Sequence, residues 1–328
     1  AQEAASAFGD GSVYLEREIL PARHIEVQLL GDASGQVVAL GERDCSLQRR
    51  HQKLVEEAPA PGLTAEERRS LHDMAVRVGM AAGLRNVATA EFLQAVDGRF
   101  HFLEVNTRLQ VEHGVTELVS GLDIVREQFL LAAGRPLSPA ALAAAGRAAE
   151  PYGHAIEVRL AAEDPGRHFA PSPGRITRWG MPGGPGIRVD SGVDSGDAVP
   201  PEYDNLIAKL MVHATDRSAA IERLRRALDE VEIGGIQTTL PFHRYVARDP
   251  SFAAGDLSTG WVAEHWDGPA ERRRIAGLAQ VVAGVAALGA GLEPGMPTAI
   301  RSHPTDRSAA DGRWRRLALE AGVDRWPR

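Results

Sequence analysis

The sequence predicts an α+β protein: an antiparallel sheet with helices, followed by a smaller α+β unit. Two patterns predict it. Short segments alternate polar and apolar residues around Gly, Asp and Pro turns, as antiparallel strands do. Capped stretches with apolar residues at helical spacing lie among them. A third observation sets the division of the chain. An Ala-rich break at 135–151 separates a unit at 1–135 from one at 150–266, and a helical, linker-like tail follows at 267–328.

Residues 13–19 read as a strand. Residues 24–29 alternate as a half-buried strand, 32–35 carry turn chemistry, and 36–40 return as a second strand. Residues 42–53 are dense in charge and amide without a period, which reads as a functional loop. Ala58-Pro59-Ala60-Pro61-Gly62 breaks the chain. Thr64 with Glu67 forms a capping box, and Leu71, Met74, Ala75 and Val78 form the buried stripe of a helix. Residues 87–96 and 99–106 make a hairpin around Asp97-Gly98. Residues 116–133 read as one helix stopped by Gly134, and one short helix fits the break. In the second unit 154–160, 174–179, 186–190 and 205–212 read as strands. Residues 216–231 form an amphipathic helix, 233–239 lead into another near 240–248, and an Arg/Ala-rich helix follows Trp266.

Composition bounds the function. Of 328 residues, 44% are hydrophobic and 25% charged, so the chain can bury a sizeable core and reads as a soluble globular protein. A net charge of −7 argues against general nucleic-acid or membrane-surface binding. The most apolar stretch, 281–292, is too short to span a bilayer. A single cysteine, Cys45, excludes an internal disulfide and a cysteine-cluster zinc site; it fits a cytoplasmic setting and is expected to pack. Only two of the 37 cationic Lys and Arg residues are lysine, Lys53 and Lys209. In so arginine-rich a chain, a lysine marks a place where a compact ammonium suits and a planar guanidinium does not.

The hairpin carries the chemistry. A two-residue Asp97-Gly98 turn sets a register that puts Glu91 directly opposite Glu104. Facing Cβ atoms lie about 5 Å apart. Two carboxylates at that distance repel by roughly 3–4 kcal/mol at an effective dielectric near 20, so a cation belongs between them. Mg²⁺ shared with phosphate oxygens is the natural candidate. On a strand continuing past the hairpin, Glu104, Asn106, Arg108, Gln110 and Glu112 share one polar face.

The stretch Phe102-Leu103-Glu104-Val105-Asn106-Thr107-Arg108-Leu109-Gln110-Val111-Glu112-His113 resembles the signature of biotin carboxylases, within the ATP-grasp superfamily. Residues 42–53 and 56–61 are similar to the same family, as are Tyr14-Leu15-Glu16, Arg23-His24-Ile25-Glu26 and 200–209. The resemblance covers about 12–262 and implies the C-terminal part of an ATP-grasp fold followed by a biotin carboxylase C-terminal domain. The shorter core of residues 104–108 is shared with carbamoyl-phosphate synthase large chains. Another ATP-grasp ligase of that kind is therefore the alternative enzyme reading, although it leaves 108–113 and the Lys209 strand unexplained. A truncated interface fragment without activity is the non-enzyme one.

The resemblance implies an enzyme that uses ATP and Mg²⁺ (or Mn²⁺) to activate bicarbonate as carboxyphosphate and then carboxylates biotin held on a separate carrier. Its partners would be a biotin carboxyl carrier, a carboxyltransferase subunit and, in a homodimer, a second copy of itself. By matching position, Glu91, Glu104 and Asn106 would ligate the metal. Lys53 would contact bicarbonate or the γ-phosphate, and Arg108, Gln110 and the Val111 backbone would hold bicarbonate. Glu112 would be the base and Arg159 would stabilise the biotin enolate. Glu16, His24, Gln48 and His51 would line the nucleotide site. The family places a Gly-rich lid, a nucleotide-binding lysine and an N-terminal domain ahead of the point where this sequence starts, so the chain reads as part of something longer. Gly114 stands where the family usually has Pro, which predicts a looser loop after the base. Lys209 is expected to be structural, its stem under the Pro200-Pro201 turn.

Overall fold

The computed structural model describes residues 1–290; the linker-like tail beyond them lies outside the described residues. Eight strands form one antiparallel sheet: β1 (Ala22–Gly31), β2 (Val37–Arg49), β3 (Gln52–Ala58), β4 (Asn86–Ala95), β5 (Phe100–Asn106), β6 (His154–Ala161), β7 (Ile187–Ser191) and β8 (Leu206–Ala214). Their order is β7-β8-β6-β3-β2-β1-β4-β5. The break at 135–151 does not cut the sheet, because β6 pairs directly with β3.

The helices are α1 (Gln2–Phe8), α2 (Ala65–Ala81), α3 (His113–Ser120), α4 (Ile124–Ala132), α5 (Pro139–Gly146), α6 (Arg217–Glu230), α7 (Leu240–Val246), α8 (Pro250–Ala254), α9 (Trp261–His265) and α10 (Gly268–Ala290). The Thr64–Glu67 capping box starts α2. Leu71 and Ala75 bury against Ile25, Val27, Leu29, Ala90 and Phe92 of the sheet. Asp216 caps α6 through the Ala219 amide. Its Ile221, Leu224 and Leu228 join Val158, Leu160, Leu210, Val212, Phe242 and Trp261 in the largest apolar cluster. The opposite face of β6 and β8 receives α3, where Val115 and Val119 meet Ala155 and Met211.

Several expectations need correction. Residues 13–19 form no strand and are largely exposed. β1 is already paired on both sides, by β2 and β4, so no edge is left for them. Residues 42–53 are not a loop but most of the β2–β3 hairpin, turning at Arg50 and His51, both at positive φ. The stretch lacks a period because its charges Glu42, Arg43 and Asp44 are all buried, paired with Arg68 and His72, Glu26 and Arg23 of other segments. Residues 116–133 are two helices, not one: Gly121 ends α3 in the left-handed region and Asp123 caps α4. The polar row after the hairpin is not strand, because β5 ends at Asn106. Arg108, Gln110 and Glu112 lie on an irregular turn that leads into α3.

The hairpin register is correct where it matters, by two compensating departures. The turn has three residues, Val96-Asp97-Gly98, with the Ala95 amide bonded to the Arg99 carbonyl and Gly98 at φ +79°. That shifts the pairing by one residue, Phe92 facing Phe102. A bulge at Leu103 shifts it back, so Glu91 faces Glu104 and Thr89 faces Asn106.

Candidate active site

The site is a transverse row across four strands. Arg43 faces Glu26, Glu26 faces Glu91, and Glu91 faces Glu104, one residue each from β2, β1, β4 and β5. Strand alternation puts these side chains opposite the apolar face that α2 covers. Arg43 is fully buried at one end. It pairs with Glu26 and donates to Gln28 at 2.8 Å, Thr116 at 2.9 Å and Gln110 at 3.4 Å. At the exposed end, the Asn106 amide donates to Glu91 at 3.1 Å and Glu104 at 2.9 Å, bridging the two carboxylates.

Lys53 stands over this row. Its ammonium pairs with Glu26 and reaches Glu91 at 3.1 Å and Glu112 at 2.6 Å. Burial works against the charge, but Glu26, Glu112 and Glu91 outweigh it and the lysine pKa rises. Burial likewise would raise Glu26, yet Arg43 and Lys53 hold it at about 2. Glu91 lies well below the usual carboxylate range: burial is overcome by the hydrogen bond from His24 and the charge of Lys53. His24, Glu26 and Glu91 present nitrogen and oxygen atoms within 4.8 Å of one another, and Lys53 supplies a cation beside them.

Glu112 occupies the N-cap position of α3 but makes no side-chain cap. Its carboxylate instead bridges two cations, Lys53 and the Arg159 guanidinium at 2.9 Å. Arg108 does not pair with it; Arg108 is exposed at the mouth of the cleft and touches the Leu109 carbonyl at 3.3 Å. Arg159 also donates to Glu56 at 2.6 Å. Glu56 faces Glu157 across β3 and β6, both fully buried. Burial drives Glu56 up to about 7 despite Arg159, and pushes Glu157 well above its usual value with Glu56 as the next cause.

Most of the expected residues come together. Lys53, Glu91, Glu104, Asn106, Arg108, Gln110, Val111, Glu112, Arg159, His24, Gln48 and His51 all line one cleft of about 730 Å³. Gln110 donates to Glu91 at 2.9 Å. His24 pairs with Glu91 at 2.9 Å, so its first partner is the carboxylate row. Glu16 does not join them: it is exposed, and the cleft rim begins at Arg17. Lys209 does not pack under Pro200-Pro201; it reaches the Val111 carbonyl at 2.6 Å. Nor is the turn after Glu112 loose at Gly114, where a Cβ would collide with the Met211 sulfur. Gly114 is what lets α3 lie close against β8. Cys45 is buried and packs, as expected.

The residues missed from sequence are Glu26, Arg43, Glu56 and Glu157. For Glu26 a signal was present: it shares one strand face with His24, which the resemblance places at the nucleotide site.

Two family models match. One, the carbamoyl-phosphate synthase L chain ATP binding domain, covers residues 1–140. The other, the biotin carboxylase C-terminal domain, covers 157–264. The chain belongs to the biotin carboxylase family. It is 47% identical over 262 residues to the biotin carboxylase of Nostoc sp., covering 80% of this chain and 58% of the relative. It is 46% identical over 274 residues to the alpha3 subunit of the biotin-dependent acyl-coenzyme A carboxylase of Mycobacterium leprae, covering 82% and 45%. The chain thus spans about half the length of the curated relatives it matches. Among solved structures, the biotin carboxylase domain dimer of Hydrogenobacter thermophilus 2-oxoglutarate carboxylase, with MgADP and bicarbonate, superposes at TM-score 0.76 and 44% identity, over 80% of this chain and 57% of that one. A biotin carboxylase complex from Campylobacter jejuni gives 0.76 and 44% over 80% and 58%. No helix among the described residues is long and apolar enough to cross a membrane.

Proposed function

We propose that this chain contributes the bicarbonate-activating and biotin-carboxylating part of a biotin-dependent carboxylase, with 1–135 and 150–266 as its two family units. One observation carries the reading: Glu112 gives up its helix cap to lie between two half-buried cations, Lys53 and Arg159, beside a carboxylate row. Lys53, Arg108 and Gln110 present donors to a small planar anion, Arg108 offering a bidentate fork. Glu112 takes the bicarbonate proton, Lys53 and Arg159 holding its two oxygens. Arg159 then stands where an enolate oxyanion would need a fixed cation.

The residues fit a divalent cation. Glu91 is ionised, and Glu104 and the Asn106 carboxamide face the same cleft, a hard oxygen donor set suited to Mg²⁺. Bound there with ATP, the ion would screen phosphate charge; Glu91, Glu104 and Asn106 would hold it. His24, Gln48 and His51 form the wall beside it, where the nucleotide is placed in this reading. Carrier-held biotin, a carboxyltransferase partner, a second copy of the chain and a cytoplasmic setting belong to the same reading. Relatives described as one component of an acyl-coenzyme A carboxylase and as a domain dimer support the partners.

Glu112→Gln tests it. Bicarbonate-dependent ATP cleavage with free biotin is measured with the half of a biotin carboxylase that this chain does not span supplied in trans. Turnover should fall about 10²–10⁴-fold, with the melting temperature and MgATP affinity retained. Turnover within a few-fold of the parent would remove Glu112 from the chemistry.

A further inference from the structure

Both lysines of this arginine-rich chain end on the same turn. Lys53 holds the Glu112 carboxylate at 2.6 Å, and Lys209 holds the Val111 carbonyl at 2.6 Å. Lys209 on β8 sits directly opposite Arg159 on β6, and Arg159 holds the other Glu112 oxygen. Two cross-strand neighbours therefore grip successive residues of the turn.

The Lys209 side chain is 11% exposed, as is that of Lys53. The nearest carboxyl groups are Asp190, opposite it on β7, at 3.4 Å and Glu157 at 3.9 Å. Neither Glu157 oxygen has a hydrogen-bond donor within reach. The ammonium donates to the Val111 carbonyl and lies beside the Asp190 carboxylate, a compact site that a planar five-donor guanidinium would not match. A buried ion of this kind adds little stability over an apolar residue of the same volume, so its effect is to be sought in what it orients.

The turn needs holding. Its backbone bonds into α3 are long, His113 to the Gln110 carbonyl at 3.3 Å and Val115 to the Glu112 carbonyl at 3.4 Å. The His113 ring bonds the Gln110 carbonyl at 2.7 Å, leaving the Val111 carbonyl to Lys209. We propose that Lys209, with Asp190 opposite it as its counter-charge, is a positioning residue for anion capture. By fixing the Val111 carbonyl it keeps Glu112 between Lys53 and Arg159 and keeps Gln110 against Glu91. The anion in question rests on the bicarbonate reading above.

The test uses the full chain as Lys209→Met, Lys209→Arg and the double variant Lys209→Met/Glu157→Gln, which leaves no buried carboxyl group beside the new apolar side chain. Hydrogen exchange is followed across 110–115, alongside binding of ¹³C-bicarbonate and of MgADP. Exchange in that segment should quicken about tenfold or more in the Met variants while β1 stays protected. Bicarbonate affinity should fall about 10–100-fold and MgADP affinity stay within about twofold, with Lys209→Arg failing to restore it. Unchanged exchange at 110–115 in the double variant overturns the proposal. So does a parallel loss of bicarbonate and MgADP affinity, which would mark general loosening. If the parent chain, complemented in trans as above, binds no bicarbonate, the functional reading fails, and the exchange result alone decides whether Lys209 holds the turn.

Discussion

Glu56 and Glu57 are neighbours on β3, both buried, and they point to opposite faces of the sheet. Glu57 faces the α6 side. It receives His154 at 2.7 Å and two nitrogens of Arg217 at 2.7 and 3.1 Å. Burial would raise it, but these partners hold it at about 2. Glu56 faces the cleft side, with one arginine nitrogen and the like-charged Glu157 opposite, and is driven up to about 7. The same residue type at the same depth is a satisfied structural anion on one face and a frustrated one on the other. Around Glu57 the buried charge has its donors, and stability sets the arrangement. On the α3 face the charges are arranged around a cleft, and some are left wanting.

The largest effect expected from this contrast is at the buried end of the row. Arg43→Met leaves Glu26, Gln28 and Gln110 without their shared donor and should cost about 3–5 kcal/mol by denaturant unfolding, since it strands a buried carboxylate. A loss under about 1 kcal/mol would mean that Lys53 alone satisfies Glu26. On the apolar side, Leu224→Ala should cost about 2–5 kcal/mol through the cavity it leaves. That variant should bind MgADP as the parent does once folded, whereas Arg43→Met should not. Equal effects on binding would erase the distinction between the faces.

Lys53→Arg sharpens the contrast within the cleft. It keeps the charge but brings a planar head to a point-charge site between three carboxylates. Turnover in the complemented assay should fall at least about tenfold. Full activity would break the argument from lysine scarcity.

Proton linkage separates the two glutamates by sign. For Glu57 the folded pKa of about 2 lies below the ordinary value of 4.5, so its contribution is present above pH 4.5 and is lost as pH falls toward 2. For Glu56 the folded pKa of about 7 lies above 4.5, so the folded state binds the extra proton and stability declines as pH rises from 4.5 to 7. Melting curves across pH should show Glu56→Gln flattening the upper slope alone, and Glu57→Gln the lower slope alone. A Glu56→Gln profile parallel to the parent would show that Glu56 is ionised throughout.

The same contrast explains what could be read from sequence. The α6 side was legible: Ile221, Leu224 and Leu228 recur at helical spacing, and 154–160 and 205–212 are strands close to where they were placed. The cleft side was legible only where two strands could be registered, at Glu91 and Glu104, and there because a three-residue turn and a bulge cancel. Glu26 was missed because alternation is the same whether a polar face meets water or a cleft, and Arg43 because its strand shows no period and reads as a loop. Lys209 was marked as unusual, but its partner at Val111 is distant in sequence and joined to it only by the tertiary fold. Glu112 was placed on a strand face, and its position at a helix start emerges only once β5 is seen to end at Asn106.

The smallest effect expected is at Gly114, and it bears on how the two faces are joined. The first turn of α3 crosses β8 there with only the Met211 side chain between them. An added Cβ would collide with the Met211 sulfur and lie 3.5 Å from Glu157 Oε2. Met211 is fully buried, so its flexible end has limited room to move aside. Gly114→Ala should therefore cost about 1–3 kcal/mol as overpacking, offset in part by the better helix propensity of Ala. The push falls on α3 beside Lys209 and Glu157, so bicarbonate binding should weaken more than the small stability loss implies. Adding Met211→Ala, which opens the space, should restore bicarbonate binding in the Gly114→Ala background even though it creates a cavity of its own. If binding and stability instead fall together in the double variant, close packing of α3 is a property of the core alone and does not set the geometry of the turn that carries Glu112.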